Sequence, residues 1–463
     1  MSGGTPRGKS SAARGRRMAD KARGPRREPI QRPAEADGAA DIGVEARIAA
    51  GILLNAALER RNGLDEAMSL PAVAALPGPD RAFARAVAMA ALRRLGEIDH
   101  ILNQRLQKSP PEAVRTLLRI SLAQTLVLGT PAFAAVSTAV KLAERDAKTR
   151  PYKALVNAVL RGVEREGPGL TTAESNLPDW IAARWRQAYG PATLAAIALA
   201  AREEPPTDLS LKPGEDAAPL AEALEATVLP GGTVRSGVRG DVSAWPGYDA
   251  GGWWIQDAAA AIPARMLAPR AGETALDMCA APGGKTLQLA GSGASVVALD
   301  RSEARLRRLR QNLERTGLSV EIVVTAAEDW DDPRTFDAVL LDAPCTATGT
   351  LRRNPEVLRA TKPAEVAKLA DVQHRLLDAA ALRVAPGGRL VYCVCSLERE
   401  EGETQVIAFL RRNPDFRTVP ADIAAVGAPA EALTPEGWLR VLPSYWPEQG
   451  GLDGFFIAGL QRV

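Results

Sequence analysis

Leu276-Asp277-Met278-Cys279-Ala280-Ala281-Pro282-Gly283-Gly284-Lys285-Thr286 reads as a buried strand that turns through a proline and two glycines into the start of a helix. Glycines at such a turn let the backbone approach a ligand closely at a helix N-terminus. The spacing is neither the phosphate loop G-x-x-x-x-G-K-S/T nor the dinucleotide fingerprint G-x-G-x-x-G. On either side, residues 251–463 alternate strand and helix patterns. Expected strands are Thr274–Cys279, Ser295–Asp300, Glu321–Thr325, Asp337–Asp342 and Arg389–Cys395; expected helices are Lys285–Ala290, Glu303–Thr316, Pro363–Val384 and Glu403–Arg412. The strands are nearly continuous apolar runs, as in a parallel sheet covered on both faces. The expected fold is a Rossmann-like, doubly wound, mostly parallel α/β sheet with its ligands at the strand C-terminal ends.

Two further strand ends carry chemistry. Asp300 closes the second strand, where a carboxylate can hold the two hydroxyls of a ribose; the bland alternative is an N-cap for the following helix. With no pyrophosphate motif, the loop and Asp300 together suit a nucleoside ligand such as S-adenosylmethionine. The remaining features are thiols: Asp342-Ala343-Pro344-Cys345 and Tyr392-Cys393-Val394-Cys395-Ser396 each end a strand with cysteine. Enzymes that methylate exocyclic amino groups carry Asp/Asn-Pro-Pro-aromatic at the first position, and here a cysteine replaces the aromatic. A cofactor loop followed by two thiols suits methyl transfer to carbon 5 of a pyrimidine, which is a poor nucleophile until a thiolate has added to carbon 6. Cys395, at the very end of its strand, is the better-placed nucleophile, and Cys393 reads as core.

The chain has 463 residues, of which 46% are hydrophobic, enough for several domain cores. No apolar run reaches the roughly 18–20 residues of a membrane span, and the first residues lack the apolar region of a secretory signal, so a cytoplasmic protein is expected. Its four cysteines and two histidines show no metal-ligand spacing, so no metal is expected. Residues 1–33 hold ten Lys/Arg against Asp20 and Glu28, a net +8 in a chain of net +3, which leaves −5 for the rest. A basic arm rich in Gly, Ser, Ala and Pro is expected to be disordered and to meet a polyanion, or simply to aid solubility.

Domain organisation follows from these patterns: a disordered basic tail over 1–40, an all-helical bundle over 41–167, a small α/β subdomain or linker over 168–250, and the α/β domain over 251–463. In the bundle, Val44, Ile48 and Ile52 repeat at helical spacing, as do Leu155, Val159 and Val163, with a single helix expected over Arg81–Leu106. Its arginines, Arg47, Arg81, Arg85, Arg93, Arg94 and Arg161, read as a solvated surface or a nucleic-acid face.

At these residues the chain resembles a known family. LDMCAAPGGKT (276–286), VVALDRSEARLRRL (296–309), LLDAPCTATGTLRRNPE (340–356) and GGRLVYCVCSLEREEGE (387–403) look like the cofactor and catalytic motifs of the Sun/Nop family of RNA cytosine-C5 methyltransferases. The helical region, with Asn157-Ala158-Val159-Leu160-Arg161, is similar to the NusB-like domain fused to bacterial 16S ribosomal RNA enzymes of that family, so the resemblance spans about residues 44–463. It implies that Cys395 adds to C6 of cytosine and that Cys345 assists release. It implies that Cys279, Ala280, Ala281, Pro282, Gly283, Gly284 and Lys285, with Asp300 and Asp342, bind S-adenosylmethionine. Arg352 and Arg353 would contact RNA, most simply 16S rRNA, with the protein acting as a monomer. The sequence departs from the family at Val394, where threonine is usual. It also departs at Ala326, where an acid is expected, although Glu328 and Asp329 lie close by. A DNA cytosine-C5 methyltransferase using Cys345, or an RNA-binding assembly factor with a vestigial catalytic domain, are the rival readings.

Overall fold

The computed structural model describes residues 43–59 and 63–463; the basic segment read as a disordered tail lies outside them. The first described element is the helix Val44–Glu59, followed among others by Gly78–Arg93, Leu95–Arg105, Glu112–Leu126, Ala132–Arg145 and Lys153–Glu166. These pack around one apolar core that includes Leu53, Leu54, Ile98, Leu102 and Leu118. The expected single helix over Arg81–Leu106 is broken at Arg94 (φ −110°, ψ 21°). Beyond the break, Gly96 lies so close to the Ser175 carbonyl that a Cβ there would collide with it. The change of direction brings this turn against Asn176, whose side chain bonds both the backbone N–H and the carboxylate of Glu97.

Residues 168–250 divide in two. The helices Asp179–Tyr189 and Pro191–Arg202 pack through Ile181, Trp185, Leu194 and Ile197 onto Leu351, Leu358, Leu397 and Leu442 of the catalytic domain. Trp185 is fully buried and donates from Nε1 to Glu398 at 2.9 Å. The strands β1 (Thr207–Leu211), β2 (Thr227–Val228), β3 (Val234–Ser236) and β4 (Trp253–Ile255) then form an antiparallel sheet in the order β2-β3-β1-β4. β4 lies past residue 250.

The main sheet is built from β5 (Thr274–Met278), β6 (Ser295–Asp300), β7 (Glu321–Val324), β8 (Phe336–Asp342), β9 (Val384–Val394), β10 (Phe416–Val419), β11 (Leu439–Val441) and β12 (Phe455–Arg462). Its order is β10-β12-β9-β8-β5-β6-β7, with β11 also on β12. β9, β8, β5, β6 and β7 are mutually parallel, and β12 runs antiparallel to β9. Alternation along each strand fills both faces. Leu276, Val339, Leu341, Leu390, Tyr392 and Val394 face one core, and Ala275, Ala338, Leu340, Val391 and Cys393 face the other. From β5 the chain winds outward to β6 and β7, then returns to β8 and β9 on the other side. The strand order therefore reverses beside β5, where an open α/β sheet places its ligand crevice. Among the described residues no helix is long and apolar enough to cross a membrane.

Candidate active site

A cleft of about 380 Å³ opens along the C-terminal edge of this sheet, a volume within the usual range for a small ligand. Cys345 and Cys395 line it beyond β8 and β9, Cys279 and Ala281 beyond β5, Asp300 at the end of β6, and Ala326 and Glu328 beyond β7. Residues scattered over more than a hundred positions meet there because parallel strands deliver all their C-terminal ends to one edge.

The thiols are a close pair, with Sγ of Cys345 and Cys395 3.5 Å apart and both side chains partly buried. The contact with Cys395 and burial push the Cys345 thiol up, and the charge of Glu401 acts in the same direction. Cys393, paired with Asp342 in the β8/β9 register, is fully buried. Its Sγ lies 3.5 Å from Asp342 Oδ1, and burial followed by that carboxylate pushes it well up. Its side chain belongs to the apolar core on one face of the sheet. Lys285 Nζ donates to Asp342 Oδ2 at 2.8 Å and sits 5.3 Å from the Phe455 ring centroid. Burial works against its charge, but Asp342, by its charge and its hydrogen bond, outweighs burial and holds the ammonium protonated.

The loop is anchored from below. Asp277 is fully buried and accepts from Thr286 Oγ1 at 2.6 Å, tying β5 to the first turn of the helix Gly284–Gly291. Burial pushes its carboxyl up to about 7, against the pull of Thr286. Cys279 (φ 63°) and Gly283 (φ 110°) take the left-handed conformations that the turn needs. Asp300 accepts from the Ala281 and Ser302 amides at 3.1 and 2.8 Å. Ser302, not Asp300, caps the next helix, since its Oγ accepts from the Arg305 amide. A carboxylate has about four acceptor sites, so Asp300 keeps capacity for ribose hydroxyls.

Arg352 and Arg353 are placed differently from the expectation that they touch RNA. Arg352 is 1% exposed and donates to the Gly450 carbonyl. Arg353 bridges Asp257 at 2.7 Å and Asp453 at 3.3 Å. Three buried carboxylates, Asp208, Asp257 and Asp453, require cations. Arg353, with Arg235 on Asp208 at 2.6 Å, supplies them and joins the small sheet to the catalytic domain. Arg93 of the bundle is also inward, donating to the Arg352 carbonyl at 3.2 Å. Residues that the sequence did not single out include Asp277, Gln373 and Glu401. Glu401 lies in a Glu-rich run, Glu398–Glu403, where nothing local marks it as buried.

Residues 264–461 match the family model described as 16S rRNA methyltransferase RsmB/F, and residues 44–165 match the NusB family. The chain is 36% identical over 446 residues to ribosomal RNA small subunit methyltransferase B of Xanthomonas campestris, covering 92% of this chain and 98% of that one. The chain belongs to the RsmB/F family of rRNA methyltransferases. The Thermus thermophilus relative of the same name is 37% identical, covering 84% of this chain and 90% of that one. The solved structure of a methyltransferase homologue from Pyrococcus horikoshii is 28% identical with a TM-score of 0.52, covering 62% of this chain and 95% of that one. A family methyltransferase of this fold uses S-adenosylmethionine, and the residues present fit it. The cleft offers backbone at the β5 turn, a carboxylate at Asp300 and small side chains at Ala281 and Ala326.

Proposed function

We propose that this protein methylates carbon 5 of a cytosine in 16S ribosomal RNA through a covalent adduct on Cys395. The observation that carries the reading is the pair of thiols, 3.5 Å apart, in the same cleft as Asp300, Cys279 and Ala281. Residues 279–285, Asp300 and Asp342 would hold S-adenosylmethionine, which supplies an electrophilic methyl group. The Cys395 thiolate adds to C6 of the cytosine, and the electron pair displaced into the ring makes C5 nucleophilic. After C5 has gained the methyl group, its proton leaves with help from Cys345. The C6–S bond then breaks, returning its electrons to the Cys395 sulfur. Lys285 keeps a positive charge near these steps, which offsets developing thiolate charge.

The target base must leave its stack to reach a thiol within a cleft. The helical bundle and the basic N-terminal arm would hold the RNA through its phosphates, with the enzyme acting as a cytoplasmic monomer. Incubation of the full chain with 16S rRNA and S-adenosylmethionine, followed by nucleoside analysis by mass spectrometry, is expected to yield 5-methylcytidine. Methylation on an exocyclic nitrogen, or of DNA in preference to RNA, would sink this reading.

A further inference from the structure

Glu401 is fully buried, and every donor it meets is neutral. Its Oε1 accepts from the Thr346 amide at 2.9 Å and from Gln373 Nε2 at 3.1 Å. Its Oε2 accepts from the hydroxyls of Thr346 and Ser396, each at 2.5 Å. Thr346 follows Cys345 and Ser396 follows Cys395, so one carboxylate grips the backbone exit of both thiols. Gln373 completes the grip from the other side of Cys345 by donating to the Pro344 carbonyl at 2.9 Å. The two loops are stitched again where the Gly349 amide donates to the Cys395 carbonyl at 3.0 Å and the Leu397 amide to Thr348 Oγ1 at 3.0 Å. Burying a carboxylate without a cation is costly, and burial pushes the Glu401 carboxyl up against the pull of these hydrogen bonds. A site concerned only with stability would be served as well by an apolar side chain.

We propose that Glu401 is a positioning residue that sets the separation and direction of the Cys345 and Cys395 thiols, and so the rates of adduct formation and release. The proposal rests on the two-thiol reading above and adds the group that holds the pair in register. Glutamine at 401 keeps the shape but carries its own donors, so it must reverse at least one of the hydroxyl hydrogen bonds and loosen both loops together.

The test uses the full chain with 16S rRNA. Glu401→Gln is expected to bind S-adenosylmethionine within about twofold of wild type by calorimetry, yet to lose about 10²-fold in kcat, the scale of a misplacement near 1 Å. In a Cys345→Ala background it should slow accumulation of the covalent RNA adduct by a similar factor. A kcat within about twofold of wild type, or a loss matched by an equal loss of cofactor affinity, overturns the assignment. If Cys345→Ala alone gives no adduct, the two-thiol reading fails, while the kcat of Glu401→Gln still decides the role of Glu401. Should Glu401→Gln not fold, Thr346→Val removes a single hydroxyl donor and is expected to cost about tenfold in kcat, the worth of one such hydrogen bond, at unchanged cofactor affinity; an unchanged kcat there overturns the proposal.

Discussion

Replacing Asp277 with asparagine removes one titrating group from beneath the cofactor turn while keeping an acceptor for Thr286 Oγ1. Burial raises the Asp277 carboxyl from its ordinary 3.8 to about 7. At low pH the aspartate is protonated in both the folded and the unfolded chain. As the pH rises above 3.8 the unfolded chain releases its proton and the folded chain does not. Unfolding is then favoured by a further 1.36 kcal/mol or so per pH unit, until the folded carboxyl also ionises near neutrality. The full penalty is of order 4 kcal/mol, of which roughly 3 kcal/mol accrues between pH 5 and pH 8. For a domain of about 200 residues, 1 kcal/mol moves Tm by roughly 2–4 °C. The Tm advantage of Asp277→Asn over wild type should therefore widen by roughly 6–12 °C between pH 5 and pH 8 in differential scanning calorimetry. Parallel Tm curves for the two proteins over that range would show that Asp277 is not a buried, proton-retaining carboxyl.

Other perturbations probe the same architecture. Arg353→Ala should strip Asp257 and Asp453 of their shared cation and cost about 3–5 kcal/mol in stability. RNA affinity and its salt dependence should stay unchanged in filter binding; a shallower salt slope would restore Arg353 to the RNA face. Gly349→Ala sets a Cβ against the carbonyls of Gly454 and Cys395, so the strand exit that carries Cys395 must shift. A loss of about 10²-fold in kcat with normal cofactor affinity is expected, and a fully active variant would show the exit to be more pliant than it looks.

The parts of the fold that could be read in advance are those whose pattern is local. β5, β6 and β8 declare themselves because both faces of each are apolar. The helix Glu303–Thr316 is bounded visibly by its Ser302 cap and by Gly317 in the left-handed region. β10 and β11 carry little local signal because each is short and pairs with β12. The helices at 179–202 contain tryptophans whose burial is decided by loops more than 150 residues away. At the site, strand ends alone bring Cys345, Cys395, Asp300 and the β5 turn to one edge. The inward course of Arg352 and Arg353 depends on carboxylates from three separate segments, which no local pattern reveals. Ser302 caps the helix Glu303–Thr316, and Asp300, two residues before it, braces the turn at Ala281.

The central claim is the division of labour between the two thiols, and covalent trapping measures it most directly. Cys345→Ala, incubated with 16S rRNA and S-adenosylmethionine and run on a denaturing gel, should give a protein–RNA adduct mapped by mass spectrometry to the peptide carrying Cys395, and Cys395→Ala should give neither adduct nor methylated RNA. Normal turnover without adduct in Cys345→Ala, or an adduct on Cys345 in Cys395→Ala, would contradict the account.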